Sequence, residues 1–295
     1  MTDVSIDRHA TLTAPATKLP PHAYFLTSAV FHYLGPAFAV LLFTHIPVVG
    51  VAWLRIASAG LIFAIWRRPW RLLIQSPASQ RSELIALGVV LGTMNTSFYL
   101  ALDRLPLGTV GAIEFLGPIV LAGIGLRSRR NAAALALAVV GVVLLTDAHI
   151  GGEPLGIALA CANCLLFTLY IILGHRLARD GGAAGIDRLG AAMLVATLVM
   201  LPVGVSDAAG AVAHPILLIA AIGVGVCSSV IPYVCDQLAM ARLSRPTFSV
   251  MLALLPAMAA VIGIVVLRQI PAWVEVAGVS LVIGAVALHH PDRAR

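Results

Sequence analysis

The chain has 295 residues, of which 60% are hydrophobic and only 11% charged, with a formal net charge of +6. A soluble domain carries roughly 25% charged residues, and the mean hydropathy here is +0.99. This composition cannot cover a water-facing fold, which excludes an ordinary soluble globular protein. A spanning helix needs about 20 mainly apolar residues, whereas a barrel strand is about 10 residues of alternating pattern. The apolar runs are long and continuous, so the expected fold is an all-α integral membrane protein.

Residues 1–21 are polar, include Pro15, Pro20 and Pro21, and lack the basic start and apolar core of a signal peptide. They read as a disordered cytoplasmic tail. Ten apolar runs follow, at 23–43, 46–66, 84–102, 107–126, 131–147, 154–174, 188–205, 214–236, 247–267 and 271–289, with residues 290–295 as a C-terminal tail. The fifth barely spans. Short polar or Pro/Gly breaks separate the runs, such as Arg67-Arg68-Pro69 and Gly151-Gly152-Glu153-Pro154.

Lys and Arg in alternate breaks set the orientation. The two tails and the breaks after runs two, four, six and eight hold 16 of the 19 basic residues. The other breaks hold only Arg104 and Arg268, and Arg55 lies inside run two. Both termini are therefore expected in the cytoplasm. The positive charge reports topology and not nucleic-acid binding, although a polybasic loop can meet anionic lipid heads.

The two halves resemble each other. Ala101-Leu102-Asp103-Arg104-Leu105 aligns with Ala239-Met240-Ala241-Arg242-Leu243, an offset of 138 that also pairs Pro118 with Pro256 and Gly125 with Gly263. A repeat of five helices inverts its second copy. The expected units are 22–147 and 152–289, as in secondary transporters whose site lies at the midplane between inverted repeats.

A charge at the bilayer centre costs about 2.5–3.5 kcal/mol even on insertion scales, so it faces protein or water. Arg55 in run two and Glu114 in run four are such charges. Their neighbours one turn away include small residues: Ala52, Ser58 and Ala59 around Arg55, and Gly111, Gly117 and Pro118 around Glu114. Two readings stay open, a buried structural ion pair and a substrate- or proton-binding site. His32, Asn95, Tyr99, Asn163, Tyr170 and Tyr233 join them as candidate lining, with Ser28, Ser228, Ser229 and Asp236 on the same stripes. Pro36, Pro118, Pro232 and Pro256 are expected helix kinks, since a proline inside a helix loses one backbone bond. Gly88-x-x-x-Gly92 reads as helix packing, and Asp236 as a surface partner of Arg242. Glu275 and Arg268 read as solvated at the outer face. Cys161-x-x-Cys164 has the spacing of a redox or zinc pair, but no second pair or nearby His supports it. No metal, cofactor or enzymatic constellation is expected.

The stretch Leu105-Pro106-Leu107-Gly108-Thr109-Val110-Gly111-Ala112-Ile113-Glu114-Phe115-Leu116-Gly117-Pro118 resembles the helix 4 pattern of the EamA family in the drug/metabolite transporter superfamily, in its threonine/homoserine exporter branch. Leu54-Arg55, Pro69-Trp70-Arg71, Ile231-Pro232-Tyr233, Ala239 to Leu243 and Leu255-Pro256-Ala257 are similar in style. Val266-Leu267-Arg268-Gln269 departs from the acidic ending that members carry there. The resemblance implies an efflux transporter of small metabolites in a bacterial inner membrane, with amino acids such as threonine or homoserine as cargo; nucleosides or drugs are the alternative cargo and a lipid-handling membrane enzyme the rival class. Alternating access coupled to protons, an antiporter cycle, is the expected mechanism. Glu114 is the candidate proton carrier, membrane lipids are the surroundings, and the state is monomer or homodimer.

Overall fold

The computed structural model describes residues 20–117, 129–150, 153–177, 182–240 and 254–288. Among them every regular element is helical and none is a strand. In order they are α1 (Pro21–Leu42), α2 (Val48–Arg67), α3 (Trp70–Gln75), α4 (Ala78–Leu102), α5 (Leu107–Glu114), α6 (Arg129–Ile150), α7 (Pro154–Leu177) and α8 (Gly182–Val212). Then come α9 (Pro215–Gly225), a π-helical turn (Val226–Val230), α10 (Ile231–Met240), α11 (Leu254–Leu267) and α12 (Trp273–Leu288). Prolines start most of them: Pro21, Pro154 and Pro215 open α1, α7 and α9, and Pro47, Pro69, Pro77 and Pro106 precede α2 to α5. A proline has φ already set for a helix, and its missing N–H would be unpaired there anyway.

Six segments are long and apolar enough to cross a membrane: Pro21–Leu42, Val48–Arg67, Ala78–Leu102, Pro154–Leu173, Ala184–Val212 and Pro215–Asp236. They fall on runs one, two, three, six, seven and eight. Shorter apolar helices, Ala132–Leu144, Leu254–Leu267 and Trp273–Ala285, fall on runs five, nine and ten. Run four is represented by α5. Residues 118–126 of that run lie outside the described residues, as do residues 247–253 of run nine, the N-terminal tail to residue 19 and the C-terminal tail. Large apolar side chains are exposed on the bundle, among them Ile65, Leu165, Ile216 and Val265. Water would oppose that exposure and lipid accepts it, so the fold is a multi-pass membrane protein.

Three elements differ from the sequence expectation. Helix α4 begins at Ala78, six residues before its apolar run, because Ser79-Gln80-Arg81-Ser82-Glu83 continues the helix with a polar first turn. Helix α8 reaches from Gly182 to Val212, well past both ends of run seven, since Asp187-Arg188 and Ser206-Asp207 are helical although polar. Helix α3 is a six-residue turn that an apolar-run search passes over.

The helices pack in matched pairs. α2 lies on α8, α5 on α11 and α6 on α12. The contact of α4 with α7 is mirrored by that of α1 with α10, and the contact of α1 with α11 by that of α5 with α7. Glycines set the close approaches. A methyl on Gly88 would come within 2.7 Å of the Ala192 carbonyl on α8, and one on Gly92 within 2.8 Å of Met200 Cγ, so this glycine pair serves the α4–α8 crossing. Trp53 Nε1 donates to the Thr197 carbonyl at 3.1 Å across the α2–α8 contact.

Polar bonds join the helix ends. Arg67 and Asp187 pair at 2.6 Å between α2 and α8. Arg104 and Glu153 lie 3.9 Å apart, and Leu107 N–H donates to Gln269 Oε1 at 3.0 Å. Each pair links breaks that alternate counting assigns to one side. Glu275, read as solvated, is instead buried, with its Oε2 accepting the Ala272 N–H at 2.7 Å. It satisfies a donor at the start of α12 that the helix itself cannot pair. Arg268 is exposed, as expected.

Candidate functional site

Two buried apolar clusters meet around the mid-span charges. One contains Tyr33, Leu54, Tyr99 and Phe115, the other Ile56, Met94 and Tyr233. Arg55 and Glu114 are each only 4% exposed, and they do not bond to each other.

Arg55 projects from α2 onto the π-helical turn. Its Nε donates to Ser229 Oγ at 3.1 Å and its Nη2 to the Ser228 carbonyl at 3.0 Å. The guanidinium carbon lies 5.2 Å from the Tyr99 ring centre, a cation–π distance. The sequence explains why the Ser228 carbonyl is available. In an α-helix it would accept from the N–H of residue 232, and residue 232 is proline, which has none. The helix takes a π turn at this point and the carbonyl turns to Arg55.

Glu114 is the last residue of α5, followed by Phe115 at φ −78° and ψ −7°. Its Oε1 accepts from Asn163 Nδ2 on α7 at 3.0 Å, and its Oε2 from the Tyr33 hydroxyl on α1 at 3.5 Å. The small residues flanking it have different tasks. A methyl on Gly111 would come within 2.7 Å of Ala259 Cβ on α11 and 3.3 Å of the Tyr33 hydroxyl, so that glycine lets α5 approach α11 first and leaves room for the ring second. Gly117 N–H donates to Cys164 Sγ at 3.1 Å. The Cys164 position of the C-x-x-C pair is thus a packing position; all four cysteines are free, and no cluster able to hold a metal occurs among the described residues.

The remaining sequence candidates gather around these two charges. His32 is partly buried and edge-on to Tyr33 at 5.1 Å, within electrostatic reach of Arg55. Asn95 is buried, donates to the Leu91 carbonyl at 2.8 Å and faces the Tyr233 hydroxyl. Aromatic contacts run from Phe115 to Phe167 at 5.9 Å, on to Tyr170 at 6.0 Å, and from there to Tyr233 at 6.4 Å. Asp236 is partly buried beside Ser28, and its expected partner Arg242 lies outside the described residues. Pro36 is inside α1, Pro232 is the second residue of α10, just past the π turn, and Pro256 is the third residue of described α11.

Tyr33, Ser228 and Ser229 hold the charges yet were not ranked among the site residues. Tyr33 follows the candidate His32 directly, so it falls on a neighbouring face of the helix from the one the sequence marks. Ser228 does carry a signal. His32, Glu114 and Ser228 each have a proline four residues later, and each such proline removes the N–H that the carbonyl would accept.

Buried polar atoms cluster here without partners. Tyr99 Oη, Asn163 Oδ1 and Ser228 Oγ have no hydrogen-bond partner among the described residues. Burying such a group unpaired costs about 1–3 kcal/mol. Ordinary cores avoid that cost, and here three such atoms lie on side chains that touch or hold the two charges. The described helices thus define a membrane protein with a buried polar site of two opposite charges held apart.

Comparison with known proteins agrees with that class. The sequence profile of the EamA-like transporter family matches residues 154–289. The chain is 31% identical over 256 residues to threonine/homoserine exporter RhtA of Escherichia coli (strain K12), covering 85% of this chain and 84% of that protein. It is 30% identical, over the same shares, to threonine/homoserine exporter RhtA of Salmonella typhimurium (strain LT2). One solved crystal structure aligns with 90% of this chain and 97% of its own at a TM-score of 0.56 and 16% identity, a likeness of fold alone. The chain belongs to the EamA-like transporter family.

Proposed function

We propose that the protein is an inner-membrane exporter of a small zwitterionic metabolite, an amino acid of the threonine or homoserine kind. The observation that carries this reading is the separation of Arg55 from Glu114. Each charge is held by neutral partners, and no ion pair joins them among the described residues. A zwitterion supplies the missing complement: its carboxylate for the Arg55 fork, its ammonium for Glu114 and the open Asn163 Oδ1. The open Tyr99 and Ser228 hydroxyls match a side-chain hydroxyl. The names of the relatives support the same cargo.

The matched helix pairs support a transport cycle by alternating access. Partners such as α5–α11 and α1–α10 against α4–α7 are what two inverted five-helix units, 22–147 and 152–289, would produce when they interlock. Rocking one against the other would open the site to each side in turn. The lopsided distribution of arginines favours cytoplasmic termini. In this cycle Glu114 carries a proton on the return step.

The test is amino-acid efflux from proteoliposomes. Glu114→Gln keeps the shape and removes the charge. It is expected to reduce threonine transport about thirtyfold, the effect of losing a hydrogen bond to a charged group, and to abolish stimulation by a pH gradient, with insertion unchanged. Undiminished transport would remove Glu114 from both the cargo and the proton role.

A further inference from the structure

The break between α2 and α4 builds a second polar feature, at the helix ends and away from the buried site. A cleft of about 300 Å³ opens there, lined by Arg67, Arg68, Arg71, Gln75, Gln80 and Asp187 among others. From this we infer that the cleft is a binding site for the headgroup of an anionic phospholipid.

The local sequence makes the cleft. Arg68 ends α2 at φ 51° and ψ 50°, a left-handed conformation that turns the chain sharply. Pro69 then starts α3, and Pro77 starts α4. The six residues of α3 divide by face. Leu72 and Leu73 pack onto the core. Trp70 and Ile74, one turn apart, are exposed, as are Trp66 and Ile65 at the end of α2. Arg71 and Gln75, also one turn apart, line the cleft.

The charge balance favours an anion. Asp187, the acid in the cleft, is already held bidentate by Arg67, at 2.6 Å and 3.1 Å. Arg68 and Arg71 have no carboxylate within 4.0 Å among the described residues. Two cations thus remain for an outside partner. The exposed tryptophans select its source. Trp at a helix end sits at headgroup level, so the cleft opens where lipid phosphates lie and the exposed Ile65, Trp66 and Ile74 meet acyl chains. A free phosphate would use the arginines and leave this apolar rim without a role.

The experiment is native mass spectrometry of the full-length protein in detergent, titrated with phosphatidylglycerol and phosphatidylethanolamine of identical acyl chains. Each arginine that reaches the bound headgroup is expected to contribute about fivefold in affinity. The wild type is expected to prefer phosphatidylglycerol, and Arg68→Gln with Arg71→Gln to lower that affinity about thirtyfold. Arg81→Gln, exposed on the first turn of α4 and not among the cleft residues, should leave it unchanged. Asp187→Asn releases the Arg67 guanidinium and should tighten binding. The inference is overturned if the wild type shows no preference between the two lipids, a result that needs no variant to fold. It is equally overturned if the double variant keeps the preference, if Arg81→Gln loses as much, or if millimolar inorganic phosphate displaces the lipid, which would make this a free-phosphate site.

Discussion

Arg55 and Arg67 lie on the same helix and have opposite surroundings. Arg67, near the membrane edge and about a third exposed, is locked to Asp187 by two bonds and stacks beside Trp66. Arg55, deep in the bundle, has no carboxylate within 4.0 Å among the described residues and rests on a carbonyl, a hydroxyl and a ring. An arginine that only joins helices is expected to be neutralised where it is costliest to bury, yet here the exposed one is neutralised and the buried one is not. A buried charge without a counter-charge is unfavourable for stability alone. Its retention fits a site whose counter-charge arrives with the cargo.

The contrast predicts a graded set of effects. Arg55→Met should be the most damaging, reducing threonine transport about a hundredfold with the protein still inserted, since it removes the hydrogen bonds to a charged ligand group. Arg55→Lys should fall between, at about tenfold, because an ammonium keeps the charge and loses the planar fork; efflux rates with fluorescence-detected size exclusion check both. Pro232→Ala should be milder. It returns an N–H that competes with Arg55 for the Ser228 carbonyl, a change of about 1 kcal/mol, so the affinity for cargo should fall about fivefold while melting temperature holds or rises. Asp187→Asn should be smallest for transport. A partly exposed pair contributes about 0.2–1 kcal/mol, so its thermal melt should shift by about 2 °C or less. If Asp187→Asn impaired transport as much as Arg55→Met, the distinction between a joining and a receiving arginine would fail.

Much of this was legible in the sequence because the membrane makes charges conspicuous. Arg55 and Glu114 stand out in apolar runs, and the all-helical multi-pass fold follows from the hydropathy. Whether the two charges bond each other did not follow, because that depends on which neutral groups face them. Tyr33 was hidden for that reason: its hydroxyl reaches Glu114 from another helix, 81 residues away in sequence. The Ser228–Arg55 bond was readable in principle from Pro232, had the proline been read by the carbonyl it frees instead of the kink it causes. The ends of α8 and the start of α4 were misjudged because hydropathy reports the apolar stretch, whereas a helix continues through polar turns while its backbone bonds persist. The short α3 offered no period to detect, and its role depends on the cleft formed with α2 and α4.

The claim at the centre is that Arg55 and Glu114 are held apart to receive the two ends of a zwitterion. Competition in proteoliposomes tests it most directly: counterflow of labelled threonine is measured against unlabelled threonine, threonine amide and N-acetylthreonine. The account predicts that threonine competes fully, while the amide, lacking the carboxylate, and the acetylated compound, lacking the ammonium, each compete at least tenfold more weakly. Equal competition by all three would contradict it.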